Sequence, residues 1–87
     1  MDNLYISLCI TLEKKLLYVG LDVSLDKATE RIINTSIGGH NRYAAFKFYT
    51  PDFKKRAITW GIEWGIKEVD MIQQLKSIMV NLYDNHY

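Results

Sequence analysis

Apolar and polar side chains alternate strictly near the start of the chain, and this alternation constrains the fold more than any other feature. Leucine or isoleucine occupies positions 4, 6, 8, 10 and 12, and Tyr5, Ser7, Cys9 and Thr11 lie between them. Because successive side chains of a strand point to opposite faces, the pattern predicts a β-strand with one buried face. The alternation resumes over residues 17–23, with Leu17 and Val23 on the buried face, after a short charged segment. Together the two segments predict a β-hairpin.

A helix is predicted to follow the hairpin. Ser24 is a suitable N-cap, since its hydroxyl can accept a hydrogen bond from a free backbone N–H of the first turn. Asp26 places a negative charge at the positive end of the helix dipole. Apolar residues recur at helical spacing from position 25, and the pair Gly38 and Gly39 is a stop signal. We therefore expect a helix over residues 25–35.

The second half of the chain repeats this order of patterns. Residues 42–50 alternate, with Ala44, Phe46 and Phe48 on one face, and isoleucine and tryptophan alternate with other residues over 58–66. The second segment is predicted to be a strand because β-branched and aromatic residues favour strands. Its two glycines would cost a helix about 1 kcal/mol each. The spacing then becomes helical, which predicts an amphipathic helix over residues 67–83.

The expected fold is therefore a single α+β domain over residues 1–87 with the order ββαββα. It consists of two strand–strand–helix units, about residues 3–38 and 42–84, that form a mainly antiparallel four-stranded sheet with two helices packed on one face. A shift of 41 residues superposes the apolar faces of the two units' second strands. Whether this repeat is a true duplication stays open, as does the strand order.

Composition limits the classes of function. A net charge of +1 gives no strong field toward nucleic acid or an anionic membrane. Cys9 is the single cysteine, so a reducing compartment is favoured, and no signal-like or membrane-length apolar run is present. We expect a cytoplasmic protein, in the host cytoplasm if it is viral. One cysteine and two histidines make no zinc spacing, so no metal is expected. Since the sequence carries no cofactor motif and no membrane-length apolar run, we expect no cofactor, no membrane contact and no enzymatic activity.

The predicted binding surface is the sheet face opposite the helices. Alternation assigns to it Tyr5, Tyr18, Tyr43, Lys47 and Tyr49, among small residues. Tyrosine is enriched in interfaces because it joins a broad apolar ring to a polar tip. The alternative is that these tyrosines fill cross-strand pairs, since tyrosine has a high β propensity.

Basic residues in the predicted loops form a second set of candidates. They are Lys14, Lys15, Arg42, Lys54, Lys55 and Arg56. With stacking tyrosines they would suit single-stranded nucleic acid; otherwise they are solvated loop residues. Met71, Val80 and Tyr83 widen the apolar stripe of the last helix, so a homodimer formed through that helix is a further alternative.

These features favour a small non-enzymatic protein-binding module that docks on a partner protein. Small size and a composition rich in isoleucine, lysine, asparagine and tyrosine fit the inhibitors and immunity factors of phages and mobile elements. A nucleic-acid-binding module that uses the outward tyrosines and the basic loops is the alternative. The third class is a small enzyme with a pocket that no sequence motif indicates.

Overall fold

The structure, a computed structural model, describes residues 4–35, 41–48 and 50–85. Its elements are β1 (Tyr5–Ile10), β2 (Leu16–Asp22), α1 (Leu25–Thr35), β3 (Arg42–Lys47), α2 (Phe53–Glu63) and α3 (Glu68–Asn85). The predicted α+β class is confirmed. The predicted order ββαββα is wrong, because the described residues form three strands and three helices in the order ββαβαα. The predicted stop signal at Gly38 and Gly39 lies outside the described residues.

The three strands form one antiparallel sheet in the order β2-β1-β3. Because β1 lies between them and runs opposite to both, β2 and β3 are parallel to each other and are joined through α1, as in a split β–α–β unit. Ser7 pairs with Gly20 and Leu8 with Tyr18, so Val19 is an extra residue at a β-bulge. The bulge breaks the predicted alternation of β2, and Leu17 is consequently exposed instead of buried.

Helix α1 begins where the sequence predicted, and its described residues extend to Thr35. Ser24 acts as its N-cap, since its Oγ accepts the backbone N–H of Lys27 at 3.2 Å. The helix packs on the face of the sheet that carries Ser7, whose Oγ donates to the carbonyl of Ala28 at 3.5 Å. The helices α2 and α3 pack on the opposite face. The prediction that both helices cover one face is therefore wrong, and the sheet lies between α1 and the pair α2 and α3.

The main hydrophobic core lies between the sheet and the pair α2 and α3. It contains most of the predicted inward residues of the first and third strand segments, together with apolar residues of α2, α3 and the α2–α3 connection. Its members are Ile6, Leu8, Ile10, Phe46, Phe48, Phe53, Ala57, Ile66, Met71, Leu75 and Leu82, with Leu16 of β2. Aromatic edges meet ring faces here, with centroids 5.4 Å apart for Phe48 and Phe53 and 5.5 Å apart for Phe46 and Trp60. Burying a large apolar side chain stabilises the fold by roughly 1.5–3 kcal/mol, so this cluster dominates stability.

Helix α2 occupies the segment that was predicted to be the fourth strand. Its buried stripe, Phe53, Ala57 and Gly61, has a spacing of four residues, which the alternation of isoleucine and tryptophan obscures. The absence of a side chain at Gly61 makes room for Met71 of α3, because a Cβ there would overlap the Met71 sulfur. The predicted repeat is also absent from the described structure, since the segment matched to β2 is helical.

Gly65 ends α2 in a Schellman motif. Its φ is +98°, its N–H donates to the carbonyl of Ile62 at 3.1 Å, and the N–H of Ile66 donates to the carbonyl of Gly61 at 2.9 Å. Both glycines that argued against a helix are therefore used by the helix, one in a close helix contact and one in the C-cap.

A side-chain hydrogen bond fixes α3 to β2. Oε1 of Gln74 accepts the backbone N–H of Leu16 at 2.8 Å, across 58 residues of sequence. The helix predicted over residues 67–83 is confirmed, as Glu68–Asn85. Since β2 is an edge strand, this bond helps to hold the edge in register with the helix layer.

Candidate functional site

The predicted tyrosine surface is not an open face of the sheet. The division into two faces was correct for β1 and β3, but α1 covers the face that carries Tyr5 and Tyr43, which are only partly exposed. The small residues expected to admit a partner instead admit α1: a Cβ at Gly20 would lie 2.6 Å from Nε of Arg31. Lys47 lies exposed at the end of edge strand β3, and Tyr49 lies outside the described residues.

Among the predicted surface tyrosines that the structure describes, only Tyr18 is exposed. It lies beside an ion pair. Arg31 of α1 donates to Asp22 of β2 through Nε at 2.8 Å and through Nη2 at 3.2 Å. Burial raises the pKa of Tyr18, and the nearby charge of Arg31 opposes this shift. The bidentate geometry fixes α1 to the sheet, so we interpret this cluster as structural.

Cys9 is buried on the same face and is a poor nucleophile. Burial raises the pKa of its thiol, and a hydrogen bond with Tyr43, its partner on β3, opposes the shift in part. A raised pKa leaves less thiolate near neutral pH, and the thiolate is the reactive form.

The basic candidates do not form one rim. Lys14 and Lys15 lie in the hairpin turn, at the end of the sheet where β3 begins, and the Arg42 guanidinium stacks 4.5 Å from the ring centroid of Trp64. Lys54, Lys55 and Arg56 lie in the first turn of α2, whose other end meets Arg42. The eleven residues of α2 separate the two groups by roughly 15 Å.

Two classes of site find no support in the residues that the structure describes. Within them, no three histidine, cysteine, aspartate or glutamate side chains come close enough together to hold a metal ion. Among the described helices, none has the length and apolarity needed to span a membrane.

The accessible feature with the clearest capacity to bind is an apolar groove between α2 and α3. Its volume is about 310 Å³, and we call it the α2–α3 groove. Its lining consists of six apolar or aromatic residues and two lysines: Lys54, Ile58, Ile72, Leu75, Lys76, Met79, Val80 and Tyr83. Several of these side chains are uncovered, since Ile72 is 46%, Val80 49% and Tyr83 39% exposed.

The apolar surface of α3 is wider than its core contacts require. At 100° per residue, the α3 residues that lie in the core or pack against it span roughly 100° of the helix circumference; they are Met71, Leu75, Ile78, Met79 and Leu82. Val69, Ile72, Val80 and Tyr83 add roughly another 100° on the side of the groove, where only Lys76 interrupts them. A surface helix ordinarily shows one apolar stripe of about 100°, so the second half of this arc is available to another molecule.

Sequence analysis identified this site only in part. Val80 and Tyr83 were predicted to widen the stripe and do so, whereas Met71, predicted with them, is fully buried against Gly61. Lys54 was predicted as an anion contact and lines the groove. The other lining residues were missed: Ile58 because its segment was taken for a strand, Ile72, Leu75 and Met79 because their stripe was taken for core, and Lys76 because it was not considered. The usable signal was the apolar width of α3.

Comparisons with protein-family models, with curated proteins and with solved structures found no match to this chain.

Proposed function

We propose that this chain is a non-enzymatic protein-binding module that docks on another protein through the α2–α3 groove. The observation that carries the proposal is the uncovered apolar lining at Ile72, Val80 and Tyr83 beside the partly buried Ile58. Burial of apolar surface is the main favourable term in most protein association, and a concave apolar site gains more of it than a flat one.

The groove replaces the sheet face as the proposed docking surface. Met79 adds a flexible, polarisable side chain to its wall, which suits a surface that adapts to a partner. Lys54 and Lys76, the two charged residues of its lining, are both positive. Because the chain is small and its composition fits them, we propose the inhibitors and immunity factors of phages and mobile elements as its class. The proposed location is the cytoplasm.

Site-specific photocrosslinking tests the proposal in the cells that make this chain. A photoreactive amino acid is placed at position 72 or 80, and in matched controls at Leu12 or Val23, which are 66% and 62% exposed and lie away from the groove. We expect a discrete protein adduct from positions 72 and 80 that survives nuclease treatment, and none from the controls.

Equal adducts from all four positions would show that exposed apolar side chains capture proteins without a specific groove. Adducts that nuclease removes would support the nucleic-acid alternative. Either result would overturn the proposed function.

A further inference from the structure

We propose that the occupant of the α2–α3 groove is an acidic amphipathic helix of another protein. This inference rests on the proposed function and adds the chemistry and conformation of the partner. Three observations carry it: the shape of the groove, the sign of its charges, and the charges at the beginning of α2.

The shape of the groove suits a helix. Its walls are two packed helices, and the side chains of the α3 wall recur at positions 72, 75, 76, 79, 80 and 83, so they form helical ridges. A third helix packs into such a groove by inserting its own ridges. The wall from Ile72 to Tyr83 contains twelve residues and is roughly 16 Å long, which corresponds to about three turns of the occupant.

The charges of the groove select an acidic partner. Lys54 and Lys76 line it, and no carboxylate does. Lys54 also belongs to the first turn of α2, which carries Lys55 and Arg56 and no acidic residue. Asp52 at the N-cap contributes one carboxylate, which makes no capping hydrogen bond, so the three cations outnumber it. The N-terminal end of a helix is already positive, so these cations raise the local potential and disfavour the helix in the free protein. Carboxylates of an occupant near Lys54 would relieve that repulsion.

A second copy of this chain is a poorer occupant of the groove. A two-fold contact places the same surface of both copies face to face. Such a contact would bring four lysines into one interface, with no carboxylate from either lining to neutralise them. An acidic helix buries the same apolar side chains and pairs with the lysines.

The test uses the purified full chain and two displayed peptide libraries of fourteen residues. Both libraries have the same apolar positions at helical spacing. The polar positions vary among Glu, Asp and Gln in one library and among Lys, Arg and Gln in the other. We expect enrichment from the acidic library, and loss of binding when proline is inserted at the centre of an enriched peptide.

Two variants locate the binding in the groove. K54E with K76E should weaken an enriched acidic peptide about tenfold or more and should move the preference toward the basic library. The control, K15E with K27E, makes the same change in net charge at exposed positions away from the groove and should bind as the unmodified chain does. I72D with V80D should abolish binding by either library.

Each outcome decides a different statement. Enrichment of basic peptides, retention of proline-containing peptides, or a preference unchanged by K54E with K76E overturns the acidic helix. A dimer in sedimentation that I72D converts to a monomer overturns it in favour of a second copy. If neither library is enriched while position 72 still crosslinks to a protein in cells, the acidic helix is wrong and the proposed function stands.

Discussion

The hydrogen bond from Leu16 to Gln74 allows a direct test of how α3 is fixed to the sheet. The backbone N–H of Leu16 lies in a nearly buried position and donates to Oε1 of Gln74 at 2.8 Å. Replacing Gln74 with alanine removes the acceptor and leaves that donor without its partner. An unsatisfied buried donor costs about 1–3 kcal/mol, which is the expected loss in the free energy of unfolding.

Urea unfolding followed by circular dichroism measures this loss, and the chain offers a matched control. Gln73 is exposed and adjacent, so Q73A makes the same chemical change and the same gain in helix propensity without touching β2. Q73A should alter the free energy of unfolding by no more than about 0.5 kcal/mol. Q74A should lower the melting temperature by roughly 4–8 °C for each kcal/mol lost.

The conservative variant Q74E separates the hydrogen bond from packing. Its carboxylate still offers an acceptor oxygen, so it should retain more stability than Q74A. Equal losses for Q74A and Q73A would refute the assignment of the bond as a stabilising contact. Equal losses for Q74A and Q74E would show that the shape of the side chain matters rather than its acceptor.

Three further predictions concern the remaining described features. G65A should lower the free energy of unfolding, measured by chemical denaturation, by about 1 kcal/mol, because a φ of +98° disfavours a residue with a Cβ. G65N should lower it less, because asparagine tolerates this backbone region. Equal stability of the unmodified chain and both variants would contradict the Schellman cap. Cys9 should resist alkylation in the folded chain and react once guanidinium unfolds it, because burial raises its pKa; stoichiometric labelling of the folded chain would show that the thiol is accessible. D22N should lower the pKa of Tyr18 and R31Q should raise it, because the Asp22 charge raises that pKa and the Arg31 charge lowers it. NMR titration of the tyrosine ring carbon measures both shifts. Shifts in the opposite directions would be inconsistent with the ion pair lying beside Tyr18.

Local patterns in the sequence predicted local structure well where a single period was present. The alternation in β1 identified the face that packs on α2 and α3, but the expectation of a single buried face was wrong, because α1 also buries Ser7 and Cys9 on the other face. The hydroxyl of Ser24 located the beginning of α1. Over residues 58–66 the apolar residues alternate although the backbone is helical as far as Glu63. There the buried stripe depends on Ala57 and Gly61, two small residues that carry little hydrophobic signal.

The candidate site was harder to predict because it depends on which helix covers which face. Alternation places Ser7 and Ile6 on opposite faces of the sheet. It does not show that α1 packs on the Ser7 face and that α2 and α3 pack on the Ile6 face. Small residues such as Gly20 admit a close neighbour, and the sequence does not show whether that neighbour is a partner or the chain's own Arg31. The groove joins Ile58 to Ile72, which only the tertiary packing of two helices brings together.

The central position of β1 has a consequence for the order of folding. Strand β1 pairs with β2, which follows it directly, whereas its other edge pairs only when β3 has been synthesised. Its core face is covered only by α2 and α3. During synthesis Ile6, Leu8 and Ile10 therefore remain without their helical cover until α2 and α3 have left the ribosome. A nascent chain that stops before α2 would present an apolar hairpin with an unpaired edge, which is the form most prone to aggregate or to recruit a chaperone.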